Sequence, residues 1–432
     1  VPLSQDVLVI GAGITGMKAS LLLAAAGRRV HLVEKSSITG GNVIRCEDIF
    51  TEMECATCMV SPLQQDVLRN DLIDLITLGR ITNVEGSAGG FRVTLTRQAS
   101  CVDSVACIGC GECWGACPVE IPNDYEERMN SRKAISVPCA GALPNVPWID
   151  REHCRRWTGE DGSCSLCAEA CVFEAVDYSQ ENRELLLEVS DIVVATGFEL
   201  PDSALLDKMG WGKSPGVYTA FEFERLYASN GPTSGELVLR DGRIPSSATI
   251  LVHADPGADG AFDHISSLCS LKFAHYLRKK LPEVVITLLY DNLCTPGPAA
   301  ERFYDKIREE GVETVRFTSA PEVSLDPKGK GLSITCTFGS EITAVDTEML
   351  ILFPPILPSS GTLEIAEVLG VDLCSTGFPA ARKDCISPVT TKLEGITIAG
   401  AAMGPADIAM CTVSAAAAVS AILSRDSEGA SR

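Results

Sequence analysis

Residues 6–34, DVLVIGAGITGMKASLLLAAAGRRVHLVE, constrain the fold more than any other stretch of the chain. The apolar run Val7 to Ile10 reads as a strand buried on both faces, Gly11, Gly13 and Gly16 follow as G-x-G-x-x-G, and an apolar helix leads to a second strand ending at Glu34. The first glycine permits the tight turn, the second lets the backbone approach a pyrophosphate, and the third lets the helix pack on the strand. Ile14 and Thr15 open that helix, whose N-terminus favours an anion. Glu34 stands where a carboxylate accepts hydrogen bonds from ribose hydroxyls and repels a 2'-phosphate. This is the start of an α/β fold with a parallel sheet and a dinucleotide at the carboxyl end of its first strand.

The second constraint is sulfur. Nineteen cysteines in 432 residues exceed what packing needs, and their spacing decides between disulfides and metal-bound thiolates. Cys107, Cys110, Cys113 and Cys117-Pro118 form C-x2-C-x2-C-x3-C-P, the bacterial ferredoxin run. Cys154, Cys164, Cys167 and Cys171 repeat it with a longer first spacing and with Val172 in place of the proline. In such pairs the fourth cysteine of each run serves the other cluster. Cys107, Cys110, Cys113 and Cys171 are therefore expected on one [4Fe–4S] cluster, and Cys154, Cys164, Cys167 and Cys117 on the other. Zinc is the competing ligand for C-x2-C pairs, but two near-symmetric quartets favour clusters.

Composition narrows the partners. A formal net charge of -21 opposes nucleic acid and an anionic membrane surface. The first apolar run leads straight into the glycine turn, and the later stretch Val413 to Leu423 is short and alanine-rich, so a soluble, cytoplasmic protein is expected. The five histidines show no metal-hydrolase spacing.

Further segments carry a resemblance. Lys35 and Gly40-Gly41 complete E-K-x4-G-G after the second strand, which resembles the second glycine turn of two-dinucleotide-domain flavoproteins. Ala195-Thr196-Gly197 and Gly400 to Asp407 (GAAMGPAD) resemble the returning FAD segments of the thioredoxin reductase-like family, implying cofactor contacts from Gly400, Ala401, Pro405, Asp407 and Ile408. The aspartate usual after the late glycine is Ala401 here, and Asp407 is read as a cap of the last helix. Taken in order, the chain resembles the A subunit of heterodisulfide reductase along nearly its whole length. It is also similar to the flavin subunits of the quinone-interacting membrane-bound oxidoreductase and of the benzoyl-CoA reductase complex.

The resemblance implies a thioredoxin reductase-like, two-dinucleotide-domain α/β flavoprotein with an inserted two-[4Fe–4S] ferredoxin domain. The expected parts are residues 1–100 for the first part of the FAD domain, 101–178 for the ferredoxin insertion and 179–245 for the FAD domain continuation and connector. A second α/β domain follows over 246–358, and 359–432 returns to the FAD domain. The second domain opens with ATILVHADPGADG, without G-x-G-x-x-G, which disfavours a direct nicotinamide site. The relatives' extra cysteine quartet there ends in Cys-Cys; Ser266-Ser267 takes its place, with only Cys269 nearby. Lys272 matches a family lysine close to the flavin, the alternative being a helix-surface charge.

Cys55 and Cys58, with Cys46 and Cys101 in the neighbourhood, leave three readings open: a third cluster, a redox pair, or inert thiols. Cys139, Cys294, Cys336, Cys374, Cys385 and Cys411 are isolated and expected in the core. No internal repeat is visible beyond the cysteine quartets, and Asp426 onward reads as a loose tail. The expected function is electron transfer within a soluble or membrane-docked hetero-oligomeric redox complex, with other iron–sulfur and flavin subunits as partners. The chain relays electrons between FAD, its clusters and those partners, bifurcation among the modes the resemblance implies. The competing reading is a self-sufficient NAD(P)H-dependent flavin disulfide reductase.

Overall fold

The structure, a computed structural model, describes residues 5–201, 203–252, 264–326, 331–382 and 387–430. The chain divides into two compact units, one of Val1–Ile44, Met59–Gly197 and Ser359–Arg432, the other of Arg45–Cys58 and Phe198–Pro358.

In the first unit a five-stranded parallel sheet runs, edge to edge, Ile396–Ile398, Asp191–Val194, Val7–Ile10, Val30–Val33 and Ile73–Ile76. Val7 to Ile10 are all buried, as a central strand covered on both faces requires. Chain order reverses on either side of this strand, which opens a crevice at its carboxyl end. A three-stranded antiparallel sheet, Gly79–Glu85, Phe91–Arg97 and Arg183–Val189, packs on the parallel sheet through Val93, Leu95, Ile192 and Val194.

The cysteine-rich module leaves and re-enters this unit at one point. Arg97 pairs with Arg183 at the end of two adjacent antiparallel strands. Beyond them the chain stays paired: Ala99 N–H donates to Asn182 Oδ1 at 3.0 Å, and Val102 bridges Val176. Residues 98–182 are thus an excursion from the tip of a hairpin, with a core of Cys101, Val102, Ile135, Ile149 and Ala175.

The second unit has a parallel sheet in the order Val217–Thr219, Met349–Phe353, Ser247–Val252, Val285–Tyr290 and Glu313–Arg316. An antiparallel sheet of Glu322–Leu325, Leu332–Phe338 and Glu341–Thr347 covers it. Leu251, Leu289, Phe317, Ile334 and Leu352 form the core between them.

Three expectations change. The stretch 198–245, expected to continue the FAD domain, lies in the second unit, because Val217–Thr219 pairs with Leu350–Leu352. The run 413–423 belongs to the longer helix Ile408–Ala430, whose portion Ile408–Arg425 is long and apolar enough, by length and composition, to cross a membrane. Its Cys411, Ala415, Ala418, Val419 and Ile422 are buried and it packs along the helix Ile14–Ala25. Residues 426–430, expected in a tail, continue that helix. The segment after Val252, read as part of the opening strand, and Cys385 lie outside the described residues.

Candidate functional site

The glycine turn is as tight as its spacing implies. Gly11 has φ +101, and a Cβ there would meet the Ala195 carbonyl oxygen at 2.4 Å; a Cβ on Gly16 would stand 1.8 Å from the Gly11 oxygen. Glu34 reaches back under the turn, its Oε2 accepting the Ala12 N–H and its Oε1 the Ser36 N–H, each at 2.8 Å. Each oxygen keeps a further lone pair for a hydroxyl donor. A groove of about 540 Å³, solvent mouth included, is lined by Gly11, Glu34, Lys35, Arg80, Thr196 and Glu364.

The other glycines fold onto this turn. Gly40 forms a parallel bridge with Gly13, and its N–H donates to the Ala12 oxygen at 2.8 Å; a Cβ on Gly41 would lie 3.0 Å from the Gly13 Cα. Gly400 has φ +66, and a Cβ there would meet the Thr15 Oγ1 at 2.0 Å. Ala401 is buried, and Asp407 Oδ1 accepts the Met410 N–H at 2.7 Å, capping the last helix. Ala195-Thr196-Gly197 is braced by residues that sequence reasoning missed. Ser359 Oγ donates to the Thr196 oxygen at 3.2 Å, Thr362 Oγ1 donates to the Gly197 oxygen at 3.2 Å, and the Thr196 and Thr362 hydroxyls meet at 2.7 Å. Buried Gln64 likewise holds the Thr39 oxygen at 3.0 Å. Their signal was weak, since Ser359 and Thr362 read only as a helix start.

Within the module the eight cysteines line two hollows of about 350 Å³ each, open solvent included. Cys107, Cys110, Cys113 and Cys171 line one together with Ile108 and Phe173; Cys117, Cys154, Cys164 and Cys167 line the other with Arg155 and Tyr178. Donors face several of the sulfurs: Ala175 N–H on Cys171 at 3.3 Å and Arg155 Nε on Cys164 at 3.3 Å. The Tyr178 hydroxyl lies 3.0 Å from Cys167. Burial pushes the Cys113 thiol up to about 12 and raises Cys154 and Cys167 as well. Among the described residues no three Cys, His, Asp or Glu close together tightly enough for a single ion. Four thiols around each hollow are a donor set that a [4Fe–4S] cluster or a zinc ion can use.

The module also touches the flank of the glycine turns. Thr39, next to Gly40, donates from N–H and from Oγ1 to the Leu143 oxygen at 2.8 and 2.9 Å, and the Tyr125 hydroxyl donates to the Ile44 oxygen at 2.6 Å.

In the second unit Lys272 is buried, not a surface charge. Its ammonium pairs with Glu224 at 2.7 Å and donates to the Asp48 oxygen at 3.1 Å. Burial works to lower its pKa, but the Glu224 carboxylate and the nearby Cys46 and Cys269 raise it above the ordinary lysine value. Cys46 is pushed up to about 12 by desolvation and by Glu224. At the Ser266-Ser267 pair, Ser267 Oγ accepts the Cys294 N–H at 3.0 Å and Ser270 donates to the Ser267 oxygen.

The four cysteines weighed for a third cluster do not all share one setting. Cys46 sits by Lys272, and Cys101 lies in the module core and accepts from Arg151 at 3.0 and 3.3 Å. Cys55 and Cys58 are exposed. Of the thiols expected in the core, Cys336 and Cys411 are buried, Cys139 and Cys294 half-buried, and Cys374 exposed.

The fold is that of the thioredoxin reductases, with two dinucleotide-binding-type domains. It superposes on T. acidophilum thioredoxin reductase with a TM-score of 0.54 at 10% identity, over 98% of this chain and 99% of that one. The match to Lactococcus lactis thioredoxin reductase also scores 0.54, at 12% identity over 98% of each chain. Residues 9–59 match the family model of an NAD(P)-binding Rossmann-like domain. More specifically, the chain is similar over nearly its whole length to the A subunit of heterodisulfide reductase. It is 33% identical over 430 residues to the iron–sulfur A subunit of the CoB–CoM heterodisulfide reductase of Methanocaldococcus jannaschii, and 33% identical over 438 residues to the A subunit of the H2/formate:CoB–CoM heterodisulfide, ferredoxin reductase of Methanococcus maripaludis. A protein of Archaeoglobus profundus that is itself similar to the heterodisulfide reductase A subunit is 30% identical over 471 residues. These matches cover 98%, 99% and 98% of this chain but only 64%, 65% and 66% of the relatives, so the chain spans about two thirds of their length.

Proposed function

We propose that this chain is an FAD- and [4Fe–4S]-containing electron-transfer subunit of a multi-subunit oxidoreductase, relaying electrons between flavin, its own clusters and partner subunits. Gly11, Gly13 and Gly16 admit the pyrophosphate, Glu34 accepts from the ribose, and Gly40-Gly41, Thr196 and the Gly400–Asp407 turn shape the rest of the FAD site. Cys107, Cys110, Cys113 and Cys171 hold one cluster, and Cys117, Cys154, Cys164 and Cys167 the other. Flavin supplies exchange between two-electron and one-electron steps, and each cluster carries single electrons. The protein's part is to hold these groups near one another.

The observation that carries this reading is the tie between the two sites: the module with both four-thiol hollows is hydrogen-bonded, through Leu143 and Tyr125, to the segment Thr39–Ile44 that carries the second glycine turn. A free-standing zinc module has no need of that tie. The relatives' names, as iron–sulfur and ferredoxin-linked A subunits, support the same assignment and a hetero-oligomeric setting. Anaerobically purified protein is expected to carry one FAD and about eight non-haem irons, with cluster signals on reduction. Zinc in place of iron, without such signals, would remove the proposal.

A further inference from the structure

Among the described residues outside the two hollows, Cys55 and Cys58 stand as exposed thiols within hydrogen-bonding reach of each other. Their backbone is fixed on both sides. Glu54–Cys55 pairs antiparallel with Asp48–Ile49, and the helix Ala56–Arg69 starts at the next residue, with the Ala56 N–H donating to the Glu47 oxygen at 2.9 Å. With two residues between them across a helix start, the two cysteines have the C-x2-C spacing of thiol pairs that cycle through a disulfide. The pair is also asymmetric. Cys55 Sγ accepts the Cys58 N–H at 3.4 Å, and the hydrogen bond to Cys55 holds the Cys58 thiol above the usual range.

We propose that Cys55 and Cys58 form a redox-active dithiol that exchanges with disulfide substrates, Cys55 attacking and Cys58 resolving. The Cys55 thiolate bonds to one sulfur of a disulfide, whose S–S bond breaks and releases the first substrate thiol. Cys58 then gives up its proton and attacks the Cys55 sulfur, closing the internal disulfide and releasing the second thiol. Two electrons pass from the dithiol to the substrate, and both dithiol protons end on the substrate thiols. Small disulfides fit because both sulfurs face solvent. The reaction does not depend on the electron-relay reading, since it needs neither flavin nor cluster for this half-cycle.

The test uses the full chain, purified anaerobically with its iron in place, and glutathione disulfide as probe, with sites located by alkylation and peptide mass mapping. The parent is expected to form the Cys55–Cys58 disulfide without a lasting adduct. Cys58→Ser is expected to trap glutathione on Cys55 at least about tenfold faster than on Cys374, an exposed isolated thiol of the same chain. Reaction of Cys55 at the Cys374 rate, or an equally fast adduct on Cys58 in Cys55→Ser, overturns the proposal. So does protection of both thiols accompanied by about four additional irons, which would make them cluster ligands.

Discussion

In one unit the central strand of the sheet, Val7–Ile10, runs into three glycines; in the other the strand at the same place, Ser247–Val252, is followed by a helix, His264–Lys280, whose middle holds buried Lys272. The two sheets share one plan. Each has five parallel strands, and each carries a three-stranded antiparallel sheet whose strands fall in sequence between the same pair of parallel strands. The edge strand is the one rearrangement: Ile396–Ile398 comes last in the first unit, whereas Val217–Thr219 comes before its sheet-mates in the second. The shared frame thus differs at its strand ends, where one unit has the tight glycine turn at Gly11 and the other has the buried Lys272–Glu224 ion pair.

The antiparallel sheets diverge just as sharply. Leu332–Phe338 and Glu341–Thr347 are joined by a tight turn at Gly339-Ser340, whereas the equivalent strands of the first unit, Phe91–Arg97 and Arg183–Val189, are joined by the whole cysteine module. If the comparison holds, replacing residues 99–181 with a two-residue Asn-Gly turn restores the simpler hairpin. The expected product is soluble, retains FAD and has lost all of its roughly eight irons. Flavin and iron analysis on one sample decides it. Loss of FAD together with the iron would show that the Leu143 and Tyr125 contacts are needed to form the flavin site, and the excursion picture would fail.

The first-unit crevice and the two quartets were legible because their information is local. Gly11 to Gly16 and each C-x2-C run place their chemistry within a turn or two of chain, where spacing dictates geometry. The shared plan of the sheets was not legible, because the repeat lies in strand order and not in residues. The boundary near residue 245 moved for a related reason: Val217–Thr219 is three residues long, and its pairing with Leu350–Leu352 spans far too much sequence for any local pattern to announce. Lys272 was open to reading as a surface charge because its partner, Glu224, sits on a separate helix, Ala220–Tyr227.

That buried pair gives the second, smaller effect. Lys272→Met leaves the Glu224 carboxylate uncompensated and Glu224→Gln leaves the ammonium so, each costing roughly 3–5 kcal/mol. A fall in the thermal midpoint on the order of 10 °C is expected in calorimetry. The double variant Lys272→Met/Glu224→Met is expected to recover most of it. Because the Lys272 pKa is raised on folding, its contribution is fully present below the ordinary value of 10.5 and is lost only as the pH climbs through the higher folded value. The loss should therefore be the same at pH 6 and pH 9. A redox titration of Lys272→Met adds the functional arm: a shift on the order of 100 mV in the flavin couple would place the ammonium at the flavin, as the family resemblance implies, and an unchanged couple would confine it to the ion pair.

The smallest expected effect concerns Asp407, which stands at the end of the Gly400 turn and at the start of the last helix, so that it could serve the cofactor, the helix or both. As a cap it accepts the Met410 N–H at 2.7 Å, a role that asparagine fills about as well as aspartate and alanine does not. Asp407→Ala is expected to cost about 1 kcal/mol and lower the thermal midpoint by roughly 2–4 °C, whereas Asp407→Asn should leave it nearly unchanged. FAD affinity separates the two roles, because a carboxylate that accepts from the flavin would be weakened by asparagine even though the cap survives. Equal FAD affinity for parent and Asp407→Asn, together with the alanine loss, makes Asp407 a helix cap only and leaves the late FAD contact to the Gly400 backbone. A lower affinity in Asp407→Asn at unchanged stability would assign the charge to the cofactor. The first unit would then have, at the carboxyl end of its edge strand, a specialised contact with no counterpart beside Val217–Thr219 in the second.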